Sequence, residues 1–204
     1  MDSEVFNSDR YDQELLKKRY GLEGRKIVLF VGRLTAQKGL DHLISAIPPI
    51  QMAIPESIFL IVGDGPLMNM LRDKSHTMGI ENSIKFLGQV EHMNLPELYA
   101  MSDMFILPSL SESFPNTMLE AMAMKKPMVI SRVGVAPEIL RHFKDAILIE
   151  PANKDEIMKS IGAILTDAVL SKKLSRNAHE LVIREFSWEK VIDKTLEIYR
   201  DSLH

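Results

Sequence analysis

The stretch Ile27-Val28-Leu29-Phe30-Val31-Gly32-Arg33-Leu34, followed by Gln37-Lys38-Gly39, decides how this chain is read. Its apolar residues run without alternation and stop at a glycine. Such a run suits a strand buried on both faces, as in a parallel sheet. Outward from it, similar runs recur at residues 58–62, 84–87, 104–107, 128–130 and 146–149. Between them, apolar residues fall at helical spacing: Leu40, Leu43, Ile44 and Ile47; Leu67, Met70 and Leu71; Leu95, Leu98 and Met101; Met118, Leu119 and Met122. Strand alternating with helix predicts an α/β fold, a doubly wound parallel sheet of about six strands.

The flanks are helical. Residues 12–20 read as a short entering helix, and Gly21 and Gly24 punctuate before the first strand. The tail reads as three helices at 155–165, 168–183 and 188–203. Ser187 suits the N-cap of the last, with Lys190 where a capping box would carry an acid. Met118, Met122 and Met124, and likewise Met68, Met70 and Met78, read as fillers of irregular core gaps.

Composition narrows the function. The chain has 204 residues, 46% of them hydrophobic, enough for one domain with a real core. Net charge is −3, and no basic stripe suggests a nucleic-acid partner. There is no cysteine, which removes disulfides and thiolate metal sites and fits a reducing, cytoplasmic setting. The six histidines lack metal-ligand spacing, so no metal site is expected. Residues 1–20 have no apolar centre of the signal-peptide kind. No apolar run reaches the roughly eighteen residues of a membrane span.

Three fragments carry chemistry. In an open α/β sheet, ligands bind beyond the carboxyl ends of the strands. There Gly32 permits close backbone approach, Arg33 offers a planar fork for paired phosphate oxygens, and Lys38 adds a compact charge. Two cations on one loop suit a diphosphate; the alternative is a solvated loop with ordinary charges. The lack of Gly-x-Gly-x-x-Gly argues against a dinucleotide cofactor. The second fragment is Ser111-Glu112-Ser113-Phe114-Pro115-Asn116-Thr117-Met118-Leu119-Glu120. Ser113 or Phe114 is expected as N-cap, with Pro115 in the first turn. The N–H groups of Asn116, Thr117 and Met118 then form an anion site. Glu112 and Glu120 bracket that helix start, a combination that fits a sugar nucleotide: phosphates on the N–H groups, hydroxyl pairs on the carboxylates. In the plainer reading Glu112 complements the helix dipole and Glu120 is solvated. The third fragment, Val62-Gly63-Asp64-Gly65-Pro66, is a tight turn after the second strand.

These residues resemble the retaining glycosyltransferases of the family 4 type. The resemblance rests on Val31-Gly32-Arg33-Leu34 with Gln37-Lys38-Gly39, Gly63-Asp64-Gly65-Pro66, Phe86-Leu87-Gly88, Pro108-Ser109, residues 112–123 and Phe186-Ser187-Trp188. Glu112 and Glu120, separated by seven residues, match the family's paired acidic motif. The resemblance implies one Rossmann-like half of a GT-B fold with a helical C-terminal tail. It divides the chain into an interdomain linker and entering helix (1–20), a nucleotide-sugar-binding domain (21–186) and a C-terminal crossover helix (187–204). It makes Arg33, Lys38 and Glu112 catalytic. It assigns donor binding to Gly32, Arg33, Lys38, Gly63, Phe86, Leu87, Glu112, Phe114, Pro115, Asn116, Thr117 and Glu120. Arg33 and Lys38 would hold the diphosphate, Glu112 the sugar hydroxyls, Glu120 the ribose diol, and Phe86 and Leu87 the wall beside the base.

The same resemblance implies a hexosyltransferase-type enzyme that needs neither cofactor nor metal. Its substrate would be a nucleotide-diphosphate sugar, and its partner an acceptor domain preceding Met1. Through that domain the protein would make peripheral contact with the inner face of the membrane; the isolated chain would be inactive or weakly active. Three positions depart from the pattern: Ser113 and Lys125 stand where glycine is common, and Val135 replaces the second glycine of a pair begun by Gly134. A non-glycine residue at a left-handed helix end costs roughly 1 kcal/mol. Two alternatives stay open: half of a sugar-nucleotide epimerase, or a stand-alone nucleotide-sugar-binding module.

Overall fold

The computed structural model describes residues 5–186, Lys190 and Ile192. Along the chain run α1 (Gln13–Arg19), β1 (Lys26–Val31), α2 (Leu40–Ala53), β2 (Ser57–Val62), α3 (Met68–Thr77), β3 (Ile84–Gly88) and α4 (Leu95–Met101). Then come β4 (Met104–Leu107), α5 (Asn116–Ala123), β5 (Met128–Ser131), α6 (Ala136–Ile139), β6 (Ile147–Ile149), α7 (Lys154–Thr166) and α8 (Ala168–Phe186).

The six strands form one parallel sheet in the order β3-β2-β1-β4-β5-β6. This is the doubly wound α/β architecture expected from the sequence. The unbroken apolar runs are explained by cover on both faces: every residue of β2, β4, β5 and β6 is buried, and β1 exposes only part of Lys26. The chain leaves β1 toward β2 on one side and returns to β4 on the other. The loops after β1 and β4 therefore diverge, and a crevice opens at the carboxyl ends of these two strands.

Asp12 caps α1, its side chain accepting from the Leu15 N–H at 3.0 Å. Asn153 caps α7 through the Glu156 N–H at 3.1 Å. Helix α2 continues through Pro48 and Pro49, each of which costs about 3 kcal/mol in a helix interior. Its inner face offsets this. Leu40, Leu43, Ile44, Ile47 and Ile50 are all buried, contributing about 1.5–3 kcal/mol apiece.

One hydrophobic core joins the strands to the entering segment, through Phe6, Leu16 and Leu22. Met118, Met122 and Met124 are fully buried, as expected of gap fillers, whereas Met70 is exposed. Helix α5 ends with Lys125 in the left-handed region, φ 53°. The Lys126 N–H reaches Ala121 O and the Lys125 N–H reaches Met122 O, a Schellman closure built without its usual glycine. The expected last helix at 188–203, with Ser187 as its N-cap, lies outside the described residues apart from Lys190 and Ile192. Among the described residues, no helix is long and apolar enough to cross a membrane.

Candidate functional site

The crevice is built by glycines that let loops touch. Gly39 has φ 65°, and a Cβ there would lie 2.0 Å from Pro108 O. The loop after β1 therefore lies directly on the loop after β4, and the Leu110 N–H donates to Gln37 O at 2.7 Å. Gly63, φ 123°, approaches Gly32 so closely that a Cβ would meet Gly32 O at 2.0 Å. Gly134, φ 54°, brings the loop after β5 onto Glu112 O and Ser113 O, which a Cβ would meet at 2.3 and 2.7 Å. Val135 has φ −78°, so the missing second glycine causes no backbone strain.

This contact brings Lys38 and Glu112 together. Lys38 Nζ donates to Glu112 Oε1, and Ser109 Oγ donates to the same oxygen at 2.7 Å. The two side chains are only 18% and 9% exposed. Low exposure strengthens an ion pair and raises the cost of breaking it. Arg33 is the opposite case. It is exposed, and among the described residues its guanidinium makes no ion pair or hydrogen bond. Among the described residues, then, Lys38 is engaged by Glu112 while Arg33, on the same loop after β1, has no ion-pair partner.

Helix α5 starts one residue later than a Phe114 cap would place it and two later than a Ser113 cap would. Pro115 is its N-cap, extended at φ −79° and ψ 108°, and no side chain caps the helix. The expectation of Ser113 or Phe114 as N-cap, with Pro115 in the first turn, is corrected. The cause is the loop after β5: Ser113 O accepts from the Val135 N–H at 3.2 Å, holding this segment outside the helix. The Met118 N–H donates to Pro115 O, so it is not free for an anion. The N–H groups of Asn116 and Thr117 make no hydrogen bond among the described residues. Phe114 is exposed and tilts against Phe186, with ring centroids 6.1 Å apart.

Glu120 is buried at 7% exposure, not solvated. Tyr99 Oη donates to its Oε2 at 2.9 Å, and His92 Nε2 lies 3.2 Å from its Oε1. Burial, the Glu120 charge and this hydrogen bond hold the Tyr99 hydroxyl well above its ordinary pKa.

A cavity of ≈ 340 Å³ opens beside Gly32, Arg33 and Gly63, walled by Val31, Val62, Asp64, Gln89, Val90 and Leu95. Phe86 lines a separate cavity with Arg72 and Ile84, and Leu87 is exposed. Sequence reasoning missed Gln89, Val90, His92 and Tyr99. Tyr99 sits within an apolar helical run that reads as core, and the others carry no motif.

Residues 12–181 match the family described as Glycosyl transferases group 1. The chain belongs to that family. It is 34% identical over 178 residues to an uncharacterized glycosyltransferase of Methanocaldococcus jannaschii, covering 87% of this chain and 45% of the relative. It is 28% identical to a GDP-mannose-dependent alpha-(1-6)-phosphatidylinositol monomannoside mannosyltransferase of Mycobacterium tuberculosis, covering 98% and 54%. The chain thus spans about half the length of these relatives. Among solved structures, Anabaena HepE in complex with UDP and glucose superposes with TM-score 0.89 at 24% identity, covering 98% of this chain and 55% of that one. The C-terminal domain of a glycosyl transferase group 1 protein from Francisella tularensis superposes with TM-score 0.82 at 22% identity, covering 92% and 99%. Both likenesses show the fold, and the second shows a domain of this size solved by itself.

Proposed function

We propose that this chain is the donor-binding domain of a retaining, hexosyl-transferring glycosyltransferase that uses a nucleotide-diphosphate sugar. The observation that carries the proposal is the crevice between β1 and β4. There Lys38 is held by Glu112, while the Arg33 side chain and the N–H groups of Asn116 and Thr117 make no hydrogen bond among the described residues. Cations and a helix N-terminus together suit a diphosphate. The UDP in HepE and the GDP-mannose dependence of the mycobacterial relative support a nucleotide sugar.

In this reading the bond between the sugar carbon and the diphosphate oxygen breaks, and negative charge develops on the diphosphate. Arg33, Lys38 and the start of α5 stabilise that charge. These groups do the work a metal does elsewhere. Glu112 faces the sugar hydroxyls and, by neutralising Lys38 in the free protein, keeps the crevice from being strongly cationic. Glu120 takes the ribose hydroxyls. Gln89 and Val90 join Gly32 and Gly63 in lining the cavity assigned to the nucleoside. The acceptor is held by a facing domain, which places it about 3–3.5 Å from the sugar carbon and excludes water.

Two measurements on the same protein test this. Titration calorimetry with UDP, GDP and ADP reads donor binding, and a radiolabelled-sugar assay reads transfer. Binding without efficient transfer is expected. Robust transfer by these 204 residues alone would show that no facing domain is needed.

A further inference from the structure

Glu120 is a buried carboxylate with a defined set of neighbours, and those neighbours limit what it can still bind. An ionised carboxylate only accepts, at about four lone-pair sites. Tyr99 Oη occupies one on Oε2 at 2.9 Å, and His92 Nε2 one on Oε1 at 3.2 Å. Because a carboxylate cannot donate, His92 Nε2 carries the proton in this contact. The Tyr99 hydroxyl has a single proton and two nearby acceptors. Thr117 O lies at 3.3 Å, so the shorter contact to Glu120 takes it. One lone pair then remains on each oxygen of Glu120, side by side. That is the acceptor pattern for two neighbouring hydroxyl groups.

The two donors are themselves held. Phe6, 3% exposed, packs edge-on against both rings: its centroid is 5.1 Å from that of His92, at 61°, and 6.0 Å from that of Tyr99, at 72°. Tyr99 is also tilted against Phe105 at 5.7 Å. Edge-to-face contacts of this kind fix ring orientation as well as burying area. An aromatic residue of the entering segment therefore braces both side chains that grip Glu120.

We infer that Tyr99 and His92, braced by Phe6, are positioning residues that aim Glu120 at a vicinal diol and so make the site select ribonucleotides over deoxyribonucleotides. The inference rests on the donor-domain reading above, in which Glu120 meets the ribose. The two contacts differ in weight. The Tyr99 bond is buried, whereas the His92 side chain is 67% exposed and its contact is screened by water. Tyr99 is therefore the stronger positioner.

The test compares affinities of UDP with 2′-deoxy-UDP, and of GDP with 2′-deoxy-GDP, by calorimetry. The wild-type protein should prefer the ribonucleotide, and Glu120→Gln should abolish the preference. Tyr99→Phe, which keeps the ring in the core, should reduce the preference by about three- to tenfold, the worth of one buried hydrogen bond. His92→Ala should reduce it by about twofold, and His92→Gln, whose amide can donate in place of the ring, should restore it. Affinity for the 2′-deoxy ligands, which keep only the 3′-hydroxyl, should fall less than that for the ribonucleotides in each variant, whereas a general loss of structure would weaken both alike. If Tyr99→Phe fails to fold, as read by thermal melting, the His92→Ala and His92→Gln pair decides the matter. The inference is overturned if Glu120→Gln abolishes the preference while the Tyr99 and His92 variants leave it intact. If Glu120→Gln itself leaves the preference intact, the ribose assignment fails and takes the inference with it. Absence of binding by all four nucleotides overturns the donor-domain reading.

Discussion

Replacing Lys38 with Met should reveal how the crevice holds charge. In the free protein Lys38 is paired with Glu112, and the two side chains are 18% and 9% exposed. Removing one partner of a fully buried pair costs about 3–5 kcal/mol. Here Glu112 keeps its 2.7 Å bond from Ser109, and water reaches part of the pair, so about 2 kcal/mol is expected. For a domain of this size that lowers the melting temperature by roughly 4–8 °C. Glu112→Gln should cost less, about 1 kcal/mol, because the cation left behind can turn toward water. The double variant should be less destabilised than the two single changes combined, with a coupling of about 1–2 kcal/mol. Diphosphate binding should follow the same logic. Lys38→Met removes a charge-assisted bond and leaves the Glu112 carboxylate facing the phosphates, so affinity should fall by about 100-fold or more. Adding Glu112→Gln removes the repulsion and should recover part of the loss. Urea denaturation and UDP calorimetry on the four proteins measure both effects. A Lys38→Met change below about 0.5 kcal/mol, strictly additive with Glu112→Gln, would refute the coupled pair.

Arg33→Ala should leave stability unchanged, because this side chain has no partner among the described residues. It should weaken nucleoside diphosphate by about 2 kcal/mol without affecting the free nucleoside, a difference read by calorimetry. Gly63→Ala places a Cβ 2.0 Å from Gly32 O at φ 123° and should cost about 3 kcal/mol or more. Gly88→Ala, at φ 70° with no atom within 4 Å, should cost only about 1 kcal/mol in the same urea titration. Burial lowers the Lys126 pKa to about 8, so between pH 8 and 10.5 the unfolded chain holds more protons at this position. Stability of the wild type relative to Lys126→Met should therefore rise with pH across that window, by up to about 3 kcal/mol. A flat difference would show that Lys126 keeps its ordinary proton affinity.

The sheet was legible because all its strands but the edge strand β3 are covered on both faces. Burial leaves an unbroken apolar run in β1, β2 and β4, and such runs alternating with helices admit few other folds. Glycines at the crevice were legible for another reason: Gly39, Gly63 and Gly134 stand where a Cβ would strike backbone. Lys125 in the left-handed region was legible as a departure from a family habit. The fine structure of the α5 start was not. Its frame depends on Ser113 O meeting the Val135 N–H, a contact between loops that no local pattern encodes. The surroundings of Glu120 were illegible for a similar reason. Tyr99 and His92 reach it from another helix and the turn before it, and an apolar helical run such as 95–101 does not reveal which hydroxyl will find a carboxylate. The two prolines inside α2 point the same way, since tertiary burial outweighs a local helix-breaking signal.

The central claim is that these residues form a site for a nucleoside diphosphate, and calorimetry of UDP, GDP and ADP against this chain tests it most directly. Every group assigned to the donor belongs to the one sheet or to the loops and helices packed on it, so binding should need no other domain. The account predicts saturable binding of at least one of the three, weakened by about 2 kcal/mol on Arg33→Ala and weakened by rising salt, as expected of contacts between exposed charges. Absence of binding to all three would contradict it.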